Sequence, residues 1–89
     1  MNNTEKYYVI CTDRIRDGEA RTVYMNREKG PVLWVTSMSE AEKFPSESAA
    51  RSFPSYVLEE SAGFHEEGKI SRTFRIGKVD LNLANMIDM

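Results

Sequence analysis

Apolar and polar positions along the chain change period twice. Residues 6–13 read K-Y-Y-V-I-C-T-D, an aromatic and β-branched run that predicts a strand. Asp17-Gly18 follows, the favoured two-residue hairpin turn, because a type I′ turn needs positive φ at both central residues. The return strand is residues 21–25, R-T-V-Y-M. A two-residue loop sets Arg16 opposite Glu19, Thr12 opposite Val23 and Ile10 opposite Met25. Tyr8, Ile10, Val23 and Met25 then share one face, and Tyr7, Val9, Cys11 and Tyr24 the other. Both faces are partly apolar, so the second is either covered or functional. A longer loop starting at Asp13 would flip the faces of the second strand.

Residues 26–30 predict a turn ending on Gly30, and residues 31–36 (P-V-L-W-V-T) a third strand. Pro31 suits a strand's first residue, where no ladder donor is needed. Residues 37–44 then take helical spacing and predict one or two helical turns capped by Ser37 or Ser39. Pro45-Ser46 stops that helix and starts another, with Ser46 as N-cap and Glu47 in the first turn. Ala49, Ala50, Phe53 and Val57 form its buried stripe. Pro54 removes the bond to the Ala50 carbonyl and kinks or splits the helix. Gly63 is its C-terminal stop.

Residues 63–69 predict a polar loop with the single histidine, His65. A last strand covers about residues 71–81, with Phe74 and Ile76 on one face and Thr73 and Arg75 on the other. Residues 82–89 form a short apolar tail that makes a terminal turn or packs at an edge, and residues 1–5 a loose start. The order β-β-β-α-α-β is an α+β domain: a small, mostly antiparallel sheet with helices packed on one face. No repeat or internal boundary interrupts residues 1–89, so a single domain is expected.

Composition narrows the chemistry. No run of about 18 apolar residues exists to cross a membrane. The first residues, M-N-N-T-E-K, do not read as a signal peptide. One cysteine, Cys11, excludes an internal disulfide, and its mid-strand place predicts a buried, inert thiol. No nucleophile sits near a base, no G-x-S-x-G turn occurs, and the glycines are scattered rather than gathered into a phosphate cradle. His65-Glu66-Glu67 are neighbours that rarely converge on one ion, and residues 13–19 fail as a calcium loop at Ile15. No catalytic residue, metal or cofactor is expected.

Charge is uneven. The chain has 12 basic and 14 acidic residues, a net charge of −2. Residues 40–67 hold seven acids against Lys43 and Arg51, whereas the flanking strand regions are mildly basic. A solvated helix face explains this, and so does an acidic patch that docks on a basic protein surface. Its candidate residues are Glu40, Glu42, Glu47, Glu59 and Glu60. On the strands, aromatic residues interleave with basic ones. Tyr7, Tyr24, Trp34, Arg72 and Arg75 are the candidates for stacking single-stranded bases, although a core or a dimer interface accounts for most such rings.

One stretch is similar to a known group. Tyr7-Tyr8-Val9-Ile10, Trp34-Val35-Thr36, Ala41, Phe44, Ser46, Ala49 and Ala50 make Y-Y-V-I … W-V-T-x4-A-x2-F-x-S-x2-A-A. This resembles small uncharacterised proteins of bacteriophages and prophages, over about half the chain. The matching residues would anchor helices on a sheet, and the chain departs from the pattern at Pro54. The resemblance implies an accessory protein of the bacterial cytoplasm. Such a protein binds and modulates a host protein, for example by inhibiting a defence system such as CRISPR–Cas. The expected function is therefore non-enzymatic host-protein binding through the acidic segment, with single-strand nucleic-acid binding on the sheet as the alternative. A homodimer through the second sheet face or the tail is compatible with either.

Overall fold

The computed structural model describes residues 6–27, 32–65, 68–80 and 85–88. The alternating N-terminal run forms β1 (Lys6–Arg16), and β2 (Glu19–Asn26) returns against it. Asp17 and Gly18 turn the chain with φ of 53° and 80°, as a type I′ turn requires. The ladder runs from Arg16↔Glu19 through Thr12↔Val23 to Cys11↔Tyr24, the register that the short turn dictates. That register also sets Arg14 directly opposite Arg21.

The other edge of β1 is shared. Its N-terminal half, Lys6 to Cys11, pairs with β6 (Arg75–Asp80), and Arg14 and Ile15 pair with β5 (Gly68–Ile70). Thr12 sits at the junction. Its hydroxyl lies 3.0 Å from the Ser71 carbonyl oxygen and 2.8 Å from that of Thr73, which ties the bend between β5 and β6 to the centre of the sheet. Further strands extend the edges: β3 (Leu33–Val35) on β2, β4 (Gly63–His65) on β5 and β7 (Asn85–Asp88) on β6. Among the described residues these are seven strands in one sheet, and every described pairing is antiparallel. With two helices on one face, the architecture is α+β.

Those helices are α1 (Glu47–Arg51) and α2 (Ser55–Ser61). Ser46 caps α1 by accepting the Ala49 N–H at 3.0 Å. Pro54 splits the helical stretch and occupies the N-cap of α2. Ala50 and Leu58 carry the helices onto Ile10, Met25 and Phe44, with Tyr8, Trp34, Phe53, Phe74 and Ile76 around them. Leu58 is thus a core residue outside the expected stripe; Val57 is only half-buried. The second sheet face is covered by the chain itself: Ala41 and Met38 pack on Val9 and Val79, with Tyr7, Tyr24 and Met86.

The segment 37–44 departs from the helix expected there. It makes a single 3-10 turn, Met38–Glu40, without a side-chain cap from Ser37, and Ala41 is extended with ψ of 151°. The reason is where its two apolar residues go. Three residues apart on a helix they would share a side. Here Ala41 packs on one face of the sheet and Phe44 on the other. The chain crosses where β2 leaves β1: the Glu42 N–H donates to the Met25 oxygen at 2.8 Å, and Phe44 and Tyr8 exchange backbone hydrogen bonds of 2.8 and 2.9 Å. Ile10 and Met25 therefore share a face without being ladder partners.

The C-terminal third holds three further corrections. Residues 63–69 are the hairpin of β4 and β5 rather than a polar loop, and Gly63 begins β4 while α2 ends at Ser61. The last long strand begins at Arg75, after the bend that Thr12 holds. Of the two alternatives for the tail, packing at an edge is the one seen, with residues 85–88 forming β7 beside β6. The expectations for residues 1–5, Gly30, Pro31, Glu66 and Glu67 lie outside the described residues. Among the described residues no helix is long and apolar enough to cross a membrane.

Candidate functional site

Cys11 is wholly buried between β2 and β6 and forms no disulfide. Among the described residues no three of His, Cys, Asp and Glu come together as metal ligands. The sequence candidates divide among several surfaces.

The five carboxylates do not form one patch. Glu40 stands on the 3-10 turn over the second sheet face. Glu42 is half-buried and lies 3.5 Å from the Arg27 guanidinium, which also sits 4.9 Å above the Phe53 ring. Glu47 is paired with Arg51 one turn on, its carboxylate accepting from Arg51 Nε at 2.7 Å. Those two acids are partly neutralised and serve the fold. Glu59 and Glu60 are exposed on α2, and among the described residues neither has a cationic partner.

The aromatic candidates are also separated. Tyr7 and Tyr24 lie on the second sheet face, half-buried against Val9 and Ala41, and the Lys43 ammonium sits 5.3 Å above the Tyr7 ring. Trp34 is on the helix side. It stacks on Phe74 with centroids 5.6 Å apart, and its indole N–H donates to Ser61 Oγ at 2.9 Å. Arg75 is on the tyrosine face but pairs with Asp13 at 3.3 Å, and Arg72 is exposed in the bend between β5 and β6. A single stacking platform built from these rings is not assembled.

Two surfaces stand out instead. The first is the solvent side of α2. Leu58 turns inward, which leaves Tyr56, Glu59 and Glu60 outward at i, i+3 and i+4. Tyr56 is 68% exposed, the most exposed of the large apolar side chains among the described residues. The signal for this trio was in the spacing, once Leu58 rather than Val57 is taken as the inward residue.

The second is the far half of the β1–β2 hairpin. Arg14, Arg16 and Arg21 project on the helix side of the sheet, beyond the helices. With Asp17 and Glu19 they line an open cleft of about 420 Å3. Like charges directly opposite on a ladder cost a few tenths of a kcal/mol, up to about 1. The Arg14–Arg21 pair was implicit in the Asp17-Gly18 register, but only if β1 continues to Arg16. Compared with known protein families, characterised proteins and solved structures, the chain has no significant match.

Proposed function

We propose that this protein acts by binding another protein, through the outer side of α2, and not by catalysis. The observation that carries the reading is Tyr56, 68% exposed one helical turn from two carboxylates that lack a cationic partner among the described residues. A tyrosine offers a large contact area at small entropic cost, and flanking carboxylates select a basic counterpart. The partner is therefore a protein with a basic surface, such as a nucleic-acid groove. The resemblance to phage and prophage proteins favours a host protein of a bacterial cell, with a defence complex of the CRISPR–Cas kind as one candidate. Of the five carboxylates, Glu59 and Glu60 carry this role.

Capture from nuclease-treated bacterial lysate tests it, with the wild type, Tyr56→Ala and Glu59→Lys/Glu60→Lys run in parallel. A stoichiometric basic protein retained by the wild type and lost by both variants is the expected result. Equal capture by variants that melt at the wild-type temperature removes α2 from the account. Capture that disappears with nuclease favours the nucleic-acid alternative.

A further inference from the structure

The arginine cleft of the β1–β2 hairpin is independent of α2 and is made of different chemistry. We infer that it is a phosphate-binding site, and that its ligand is the backbone of a nucleic-acid strand. Arg14 and Arg21 are directly opposite in the ladder, so their side chains leave the same face side by side. Arg16 follows two residues along β1 on that face, about 7 Å away at the strand rise. The three cations thus form a short track rather than a point.

Three features set the ligand class. All the cations are arginine, whose planar fork of donors matches a phosphate through two parallel hydrogen bonds. The cleft is partly open to solvent, which admits a chain more readily than an enclosed cavity would. Among the described residues its lining is Arg14, Arg16, Asp17, Glu19 and Arg21, none of them apolar or aromatic. A protein partner would need an apolar or aromatic anchor at the centre of its interface, and a base-reading site would need a ring for stacking. A polyanion held by its backbone needs neither.

The acids define where the site ends. Asp17 lies 3.9 Å from Arg16 Nε and is almost wholly exposed at the turn, and Glu19 is opposite Arg16 in the ladder. Arg16 is therefore the partly compensated end of the track, and Arg21, which makes no ion pair among the described residues, is its open end. Arg21 is exposed at the surface and contributes nothing to the core.

Fluorescence anisotropy of a labelled oligothymidylate, titrated with the full chain from about 50 to 200 mM salt, tests the inference. Saturable binding that weakens with salt is expected. Each arginine removed should lower the slope of log K against log salt by about 0.7. Arg21→Gln should weaken binding several-fold, and Arg14→Gln/Arg16→Gln/Arg21→Gln should abolish it. Lys6→Gln, exposed at the opposite end of β1, should leave it unchanged. Arg21→Gln keeps the test decisive even where the triple variant fails to fold. No binding by the wild type overturns the inference, as does an unchanged affinity in folded Arg21→Gln. Displacement by polyglutamate as effective as by unlabelled oligonucleotide also overturns it, and reassigns the cleft to acidic polypeptides.

Discussion

Thr12 is a wholly buried polar residue, and its hydroxyl is what lets β1 change partners. The oxygen lies within hydrogen-bonding distance of two carbonyls, Ser71 and Thr73, at the point where β5 gives way to β6. Valine matches the shape of threonine but offers no donor. Thr12→Val should therefore cost about 0.5–1.5 kcal/mol, the net worth of a hydrogen bond to part-buried carbonyls. Urea unfolding reads this directly, and Thr12→Ser should recover part of the loss. A Thr12→Val protein as stable as the wild type would mean that the bend at residues 71–73 is held by its backbone alone. Gly77 makes a comparable argument from space. It is buried in β6, and a methyl group built on it would overlap the Met86 side chain of β7. Gly77→Ala should loosen β7 first, seen as faster amide exchange at residues 85–88, and Met86→Ala should relieve it. The two changes should be strongly non-additive, as expected for groups that collide.

The elements show which local signals survive tertiary structure. Ser46 caps α1 with one hydrogen bond at 3.0 Å, and Ser46→Ala should cost about 1 kcal/mol. For a domain of this size that is a fall of about 4–8 °C in Tm, measurable by circular dichroism. The Asp17-Gly18 turn, the β1–β2 register, the Ser46 cap and the break at Pro54 were all legible in the sequence. Each is fixed by the chemistry of one or two residues: positive φ at the turn, a hydroxyl at the cap, a missing N–H at the proline. β4 and β5 were not legible, because three-residue strands are too short to show a period of two. The crossing segment 37–44 misled for a different reason. Its Ala41 and Phe44 have helical spacing, yet the gap between β1 and β2 draws them to opposite faces. The candidate surfaces follow the same division. Glu59 and Glu60 were named from charge alone, whereas Tyr56 emerges only when Leu58 fixes the rotation of α2. The aromatic strand residues looked like one set, but Trp34 and the tyrosines Tyr7 and Tyr24 belong to opposite sides of the sheet.

Across the whole molecule, charge is divided rather than absent. The formal net charge is −2, yet the proposed docking helix is acidic and the hairpin cleft carries three arginines. The longest extent is 46 Å, and from Ile10, under the helices, to Arg16 the strand rise covers about 20 Å. That is about two Debye lengths at 0.1 M salt, so the two surfaces are largely screened from each other near physiological ionic strength. On the two proposals together, one molecule would engage a basic protein and the nucleic-acid strand beside it. The two contacts should then respond differently to one substitution. Glu59→Lys/Glu60→Lys moves the net charge to +2, each reversal adding two. At low salt the whole-molecule field should speed and tighten oligonucleotide binding. Near physiological salt the gain should vanish, while capture of the protein partner stays lost. Adding Arg21→Gln should weaken oligonucleotide binding by the same factor in the wild type and in the charge-reversed background, as for distant independent sites. Anisotropy titrations of the four proteins at two salt concentrations measure that factor. A dependence on Arg21 that disappears in the charge-reversed protein would mean that net charge, and not the hairpin cleft, holds the strand.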